Sequence, residues 1–186
     1  AENARGTILL AHGYRSTFLV DFGLAFAFYH ALGMNILVPY QRSHGKSEGR
    51  FITFGVEESE DMKNWIHYHN EKFGTCQMIL SGLSMGAATV MYLAGMELPD
   101  NVRGFVADCG FTSPEAIITS VVGGKGLPAS LIVPVMGVFA RLFAGFGFRE
   151  YSTLEAVKEM KIPVFFAHGR EDTFVPCTMT EEAYEA

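Results

Sequence analysis

The pentapeptide Gly82-Leu83-Ser84-Met85-Gly86 constrains the fold of this 186-residue chain more than any other feature. An apolar run, residues 78–81, precedes it, and a run of small residues, 87–91, follows it. This order predicts a strand, a tight turn and a helix, with Ser84 at the turn. A side chain at either glycine would collide with the neighbouring strand or helix. The same pattern also fits a glycine-rich turn that carries no chemistry.

Short apolar runs alternate with helix-like segments along the whole chain. Strands are predicted at residues 7–11, 35–38, 77–81, 102–108 and 163–167. Helices are predicted at residues 18–32 and 57–73, from Ser84 to about Leu98, and from about Thr178 onward. Because strands and helices alternate with short connections, the pattern predicts an α/β fold, a mostly parallel sheet flanked by helices.

One segment, residues 111–150, breaks this alternation and is expected to form a small helical cap-like insertion. Its middle, residues 127–148, is nearly all apolar, with Arg141 as the only charge. About twenty apolar residues can span a bilayer. However, prolines and glycines interrupt the run, and Arg141 would lie inside the membrane. We therefore expect short helices that cap the sheet and wall a pocket, and we do not expect a membrane among the partners.

Composition narrows the class of protein. The chain is 49% hydrophobic and 18% charged, which is typical of a single packed domain. Its net charge of −6, without a basic stripe, argues against nucleic acid as a partner. The three cysteines are an odd number without metal-binding spacing, so we expect a reducing compartment, the cytoplasm.

Polar residues follow four of the predicted strands. They are His12-Gly13-Tyr14, then Ser84, then Asp108-Cys109-Gly110, then the turn from His168 to Asp172. In an open parallel sheet, ligands bind at the carboxyl ends of the strands, so we expect these groups to meet at one edge.

These motifs, in this order, resemble the α/β-hydrolase family from Thr7 to the end of the chain. They are His12-Gly13, the loop Arg42-x-His44-Gly45-x-Ser47-x-Gly49, the serine turn, and His168-Gly169-x-x-Asp172. Within the family, the chain is most similar to bacterial serine esterases of the lysophospholipase and acyl-ester hydrolase kind. Tyr40 is a departure, because many relatives carry aspartate at that position.

The resemblance implies a role for each matching residue. Ser84 would be the nucleophile that forms an acyl-enzyme, and the backbone amides of Tyr14 and Met85 would form the oxyanion hole. Asp172 would orient the catalytic histidine, although it also fits a helix cap or an Asx turn. Asp108 is expected to be a pocket or structural carboxylate. The expected substrate is a small-molecule acyl ester, with no cofactor.

The general base is missing from the pattern. On this fold the triad order is serine, acid, histidine, yet none of the fourteen residues after Asp172 is a histidine. The six histidines all precede the acid: His12, His30, His44, His67, His69 and His168. We expect His12, His44 and His168 to brace loops, and the other three to lie on helices. The catalytic histidine is therefore expected beyond Ala186, after one more strand, in an apparently truncated hydrolase domain.

Other chemistries fit less well. Gly45-Lys46-Ser47 resembles the end of a phosphate-binding loop, but the glycine required five residues earlier is Tyr40. The pair His67-x-His69 would place its rings on different faces of a helix, so no metal site is expected. Two alternatives stay open. One is a non-catalytic binding protein on a hydrolase fold; the other is a thioesterase, amidase, peptidase or acyltransferase with the same nucleophile.

Overall fold

Five parallel strands form one sheet, in the order β2-β1-β3-β4-β5. The computed structural model describes residues 4–186, so residues 1–3 of the expected domain lie outside the described residues. The strands are β1 (Gly6–Ala11), β2 (Met34–Leu37), β3 (Met78–Leu83), β4 (Val102–Asp108) and β5 (Val164–Ala167). The helices are α1 (Phe18–Ala31), α2 (Val56–Phe73), α3 (Met85–Ala94), α4 (Pro114–Gly124), α5 (Ala129–Ala144), α6 (Thr153–Lys158) and α7 (Thr178–Glu185). The expected α/β fold with a parallel sheet flanked by helices is confirmed.

Strand β1 is buried on both faces, which explains its continuous apolar sequence. Side chains alternate across a strand. Leu9 and Ala11 accordingly belong to the large core cluster that includes α3. Ile8 and Leu10 belong to a smaller cluster that contains Phe22 of α1. Helices therefore cover the sheet on both sides, and the carboxyl ends of its strands stay free for a site.

Helix α2 begins where its sequence supplies a cap. The carboxylate of Glu58 accepts hydrogen bonds from the Gly55 amide at 2.9 Å and from the Thr53 hydroxyl at 2.6 Å. These bonds satisfy groups that a helix start leaves free. Met62 and Ile66 of this helix are buried, but Phe73 in the last turn is exposed.

Helix α3 ends at Ala94, four residues before the predicted boundary near Leu98. Its last turn tightens through bonds from the Gly95 amide to the Tyr92 carbonyl and from the Met96 amide to the Leu93 carbonyl. A Cβ on Gly95 would lie 2.6 Å from the carbonyl oxygen of Ala156 in α6. The close approach of α6 therefore requires glycine at the position where α3 ends.

The segment between β4 and β5 contains α4, α5 and α6. Helix α5 has 16 residues, with Pro134 inside it, so it is longer than the short helices expected there. Among residues 4–186, no helix is long and apolar enough to cross a membrane. A groove of about 410 Å³ lies between α5 and residues 147–150, and it is lined by Val133, Val138 and Phe148 among others.

Candidate active site

Ser84 occupies a strained turn between β3 and α3. Its φ of 54° lies in the left-handed region, which residues with a Cβ rarely adopt. A Cβ on Gly82 would collide with the carbonyl of Gly86, and a Cβ on Gly86 would collide with the carbonyl of Ala11. Both glycines of the pentapeptide are therefore sterically required, as the sequence predicts.

Neighbouring backbone fixes the serine. The Ser84 amide donates to the Asp108 carbonyl at 2.8 Å, and the Ser84 carbonyl accepts from the Ala88 amide at 3.1 Å. The residue is half-buried. Its hydroxyl is not engaged in any hydrogen bond within residues 4–186. The turn thus holds the main chain of Ser84 by hydrogen bonds at both its amide and its carbonyl.

The loop after β1 lies against this turn. A Cβ on Gly13 would lie 3.6 Å from the Cβ of Ser84. Asp21, in the first turn of α1, holds the loop, because its carboxylate accepts from the Gly13 amide and from the Ser16 hydroxyl, each at 2.6 Å. Nothing in the motif pattern singles out Asp21, although an acid within one helical turn of the predicted helix start is a usable signal.

The two predicted oxyanion donors belong to the two segments that meet at Ser84. Met85 is the first residue of α3, whose N-terminal amides lack helical partners. Tyr14 follows Gly13 in the adjacent loop, and its exposed ring stacks on Phe54 with centroids 5.8 Å apart. Within residues 4–186, neither amide is the donor of a hydrogen bond.

His12 is buried and holds the loop after β1 in place. Its Nδ1 donates to the Gly13 carbonyl at 2.9 Å, and its Nε2 accepts from the Gln41 amide at 3.1 Å. The Gln41 side-chain amide donates back to the His12 carbonyl, and its oxygen accepts from the Thr89 hydroxyl at 3.0 Å. Burial lowers the pKa of His12, and the neighbouring His44 lowers it further. A neutral imidazole therefore ties the loop to α3.

His44 ties a second loop to the same region. Its Nδ1 donates to the Arg42 carbonyl at 2.8 Å, and its Nε2 accepts from the Arg15 amide at 2.9 Å. The ring lies edge-on to His12, with centroids 4.7 Å apart. The expected bracing role of both histidines matches these contacts.

Asp172 lies in the turn after β5, and its two carboxylate oxygens have different surroundings. Oδ1 accepts from the amides of Phe174 and Val175, at 2.8 and 2.9 Å. Oδ2 lies 3.6 Å from Nε2 of His168, and a quarter of the side chain is exposed. The carboxylate thus forms an Asx-type turn through one oxygen and keeps the other available as an acceptor.

His168 is engaged through both ring nitrogens. Nε2 donates to the Val175 carbonyl at 2.9 Å, and Nδ1 accepts from the Thr180 hydroxyl at 2.7 Å. Its side chain is only 2% exposed. His168 therefore fastens the turn that carries Asp172 to α7.

Two groups at the end of β4 also belong to the site. Burial is the main cause that raises the pKa of the Asp108 carboxyl, with the charge of Asp172 adding to it and His168 opposing it. Burial, followed by the charge of Asp108, raises the pKa of the Cys109 thiol to about 11, against a hydrogen bond from the Ser84 backbone. Cys109, with φ of 48°, is a neutral thiol beside the serine turn, at the sheet edge where the sequence places the segment 108–110.

The remaining histidines lie on helices. His30 and His67 are exposed on α1 and α2, and His69 is buried with its Nε2 2.9 Å from the Thr7 hydroxyl. Across residues 4–186, no histidine forms a hydrogen bond with Ser84. In the same range, no group of three or more histidine, cysteine or acidic side chains has the geometry to hold a metal.

Aromatic rings connect the site to the insertion. Tyr14 stacks on Phe54, and the ring of Phe54 lies 6.3 Å from that of Phe148. Phe148 in turn lines the groove beside α5. The serine turn therefore adjoins an apolar wall on the side of the insertion.

Comparison with known proteins identifies the family of this chain. Residues 2–146 match the family described as serine aminopeptidase, S33. The uncharacterized protein YqkD of Bacillus subtilis is 30% identical over 181 residues, which cover 96% of this chain and 59% of YqkD. Protein YfhR of Escherichia coli K12 is 22% identical over 185 residues, which cover 99% of this chain and 58% of YfhR.

Among solved structures, the esterase Pf2001 of Pyrococcus furiosus superposes with a TM-score of 0.73 at 27% identity. The match covers 98% of this chain and 67% of that esterase. The chain thus spans about three fifths of the length of its curated relatives YqkD and YfhR. The chain belongs to the serine aminopeptidase S33 family of α/β-hydrolases.

Proposed function

We propose that this chain carries the nucleophile, the oxyanion site and the acid of a serine hydrolase that cleaves carboxylic acyl esters. The observation that carries the proposal is the strained turn at Ser84, locked by two required glycines against the Gly13 loop. Strain of this kind persists only where the surrounding structure enforces it, and it is concentrated at functional sites. The family and the esterase Pf2001 support a hydrolase in general.

In the proposed reaction, the Ser84 hydroxyl attacks the ester carbonyl and gives its proton to a base. The carbonyl oxygen becomes an oxyanion, which accepts hydrogen bonds from the Tyr14 and Met85 amides. Collapse of this intermediate breaks the bond to the alcohol, which leaves with the proton from the base. Water then attacks the acyl-enzyme by the same route and releases the carboxylic acid.

Asp172 would act on the base rather than on the substrate. Its Oδ1 is occupied by two backbone amides, so the carboxylate cannot rotate freely. Oδ2 remains as an acceptor for the N–H of an imidazole, which fixes the tautomer of the ring and stabilises its protonated form.

The base itself would be a histidine outside residues 1–186. His12, His44 and His168 use both ring nitrogens on structural partners, His69 is buried beside Thr7, and the other two lie on exposed helix surfaces. A serine hydroxyl is a weak nucleophile at neutral pH without a base within hydrogen-bond reach.

The test uses the full open reading frame that contains residues 1–186, with Ser84→Ala and, as matched control, Ser130→Ala on the exposed surface of α5. We expect covalent labelling by a fluorophosphonate and turnover of p-nitrophenyl butyrate, both lost in the Ser84 variant alone. Labelling that survives Ser84→Ala, or a folded protein that neither labels nor turns over, would contradict the proposal.

Two alternatives have specific support. The family description names a serine aminopeptidase, so aminoacyl p-nitroanilides should be compared with esters of matched size. Faster cleavage of the anilide would make the chain a peptidase with the same nucleophile. The absence of a base among the described residues favours a non-catalytic binding protein, which would neither label nor turn over.

The three free cysteines suit a reducing compartment, and we propose that the reaction takes place in the cytoplasm.

A further inference from the structure

The two proposed oxyanion donors lie on separate segments of the chain. The Tyr14 amide belongs to the loop after β1, and the Met85 amide belongs to the first residue of α3. Two donors stabilise the same oxyanion when each lies about 2.7–3.1 Å from it, so the distance between the two segments matters for the reaction. Gln41, in the loop between β2 and α2, has a side chain that bonds to both segments.

Gln41 holds His12 by two hydrogen bonds. Its side-chain NH₂ group donates to the His12 carbonyl, and its backbone amide donates to Nε2 of the His12 ring at 3.1 Å. The second bond leaves the ring proton on Nδ1, which donates to the Gly13 carbonyl at 2.9 Å. That carbonyl belongs to the same planar peptide unit as the Tyr14 amide. Gln41 therefore holds the first donor through His12.

The same carboxamide holds helix α3. Its oxygen accepts a hydrogen bond from the Thr89 hydroxyl at 3.0 Å, and that hydroxyl also lies 2.9 Å from the Met85 carbonyl oxygen. Thr89 lies about one turn beyond Met85, the residue that carries the second donor. One side chain thus ties the first turn of α3 to the loop that carries Tyr14.

The orientation of the Gln41 carboxamide has one solution. The His12 carbonyl can only accept a hydrogen bond, so the NH₂ group must face it and the oxygen must face Thr89. Gln41 is 3% exposed, and both of its partners are fully buried. A buried polar network with every bond made specifies a single geometry, because any other arrangement leaves a polar group unpaired away from water.

On the basis of the proposed ester hydrolysis, we propose that Gln41 is a positioning residue that sets the distance between the Tyr14 and Met85 amides. It acts through His12 and Thr89 rather than on the substrate. The carbonyl oxygen of the ester bears a full negative charge only as the tetrahedral intermediate forms. A wrong distance between the donors therefore weakens the transition state more than it weakens binding of the ester.

The first experiment is steady-state hydrolysis of p-nitrophenyl butyrate by the protein from its full open reading frame. Gln41→Met keeps the length of the side chain and removes the carboxamide. We expect kcat to fall about tenfold to a hundredfold, which is less than the loss of a whole donor costs, and KM to change by less than about twofold. Gln77→Met, the same change at an exposed position just before β3, should leave kcat unchanged.

Thr89 allows a rescue that packing alone does not produce. Thr89→Val removes the hydroxyl, and kcat should fall by about threefold to tenfold, whereas Thr89→Ser keeps the hydroxyl and should retain kcat. Thr7→Val is the control, because Thr7 is 1% exposed and its hydroxyl lies 2.9 Å from Nε2 of His69 at the amino end of β1. Both valine variants should lower the unfolding temperature, but only Thr89→Val should lower kcat.

A transition-state analogue reports on the oxyanion hole directly. In an alkyl trifluoromethyl ketone, the Ser84 oxygen bonds to the carbonyl carbon, the hydroxyl proton passes to the base, and the carbonyl oxygen becomes the oxyanion. Its inhibition constant should rise in Gln41→Met by about the same factor as kcat/KM falls. The corresponding secondary alcohol, which cannot form the oxyanion, should bind equally to the variant and the parent.

Several results would overturn this role of Gln41. They are an unchanged kcat in Gln41→Met, an effect on KM alone, and equal losses of kcat in Thr89→Val and Thr7→Val. If Gln41→Met does not fold, the threonine variants decide the question by the same criteria. A folded parent without esterase activity would refute the proposed function as well, whereas an active parent that tolerates Gln41→Met would refute the positioning role alone.

Discussion

The Asp21 carboxylate and the Gly13 amide are joined by a hydrogen bond of 2.6 Å. The bond crosses from the first turn of α1 to the loop that lies against Ser84. The second carboxylate oxygen accepts from the Ser16 hydroxyl at the same distance. A single side chain thus sets the shape of the loop whose next amide, that of Tyr14, is one of the two proposed oxyanion donors.

We predict that Asp21→Asn loosens this loop. The asparagine can accept one of the two bonds but presents its NH₂ group to the other donor. Hydrogen bonds to charged groups contribute about 1.5–3 kcal/mol, so kcat for the proposed ester hydrolysis should fall by about tenfold to a hundredfold. Steady-state kinetics provides the measurement, and Asp100→Asn on the exposed surface is the control. Equal kcat in both variants would contradict the role of Asp21.

Two glycine substitutions should have opposite effects on the unfolding free energy, because one glycine is crowded and the other is not. Gly86→Ala places a methyl group against the Ala11 carbonyl. Strand β1 is held between β2 and β3 and cannot move away, so we expect a loss of more than about 3 kcal/mol in unfolding free energy. Gly23→Ala lies in α1 with open space around it, and we expect a gain of about 0.5–1 kcal/mol. Urea denaturation measures both. A mild effect at Gly86 would mean that the turn can relax.

The strands and the serine turn could be predicted from sequence because local rules decide them. Buried parallel strands are continuous apolar runs, and the turn tolerates only glycine at residues 82 and 86. Contacts between elements that are far apart in the sequence could not be predicted in this way. The need for glycine at residue 95 comes from the approach of Ala156, and the support for Gly13 comes from Asp21 on another element. Sequence also does not reveal which side of a largely apolar helix such as α5 is covered.

We predict that Asp172→Asn removes activity while the fold stays intact. Asparagine keeps an oxygen to accept from the Phe174 and Val175 amides. In place of Oδ2 it presents an N–H donor, which would face the N–H of the proposed catalytic imidazole. The same change of aspartate to asparagine in the catalytic triad of a serine protease lowers kcat by about 10⁴-fold. Ester turnover and the unfolding temperature are measured together, with Asp108→Asn as the comparison. Comparable losses in both variants would show that Asp172 is not the acid.

The Cys109 thiol should react slowly despite its place beside Ser84. Its pKa of about 11 leaves less thiolate at pH 8 than a thiol with the ordinary value of 9.0 has. Alkylation by iodoacetamide should therefore be about a hundredfold slower than in the unfolded chain. Asp108→Asn removes the second cause of the raised pKa and should speed the reaction. Peptide mass spectrometry of timed samples measures the rate at Cys109. A rate in the folded protein equal to that in urea would contradict the shift.

Asp108 itself should lower stability at neutral pH. Its pKa is raised above the ordinary value of 3.8, mainly by burial, so the folded state binds this proton more tightly than the unfolded state does. Stability therefore falls as pH rises through the interval between the unfolded and folded pKa values, and the loss is complete above the folded value. Asp108→Asn, which removes the titrating group, should raise the unfolding free energy at pH 7 relative to the parent. The gain should shrink as the pH is lowered through that interval and vanish below the unfolded pKa. Denaturation at a series of pH values measures the difference, with Asp100→Asn as the surface control. A gain that is independent of pH would assign the effect to packing rather than to the charge.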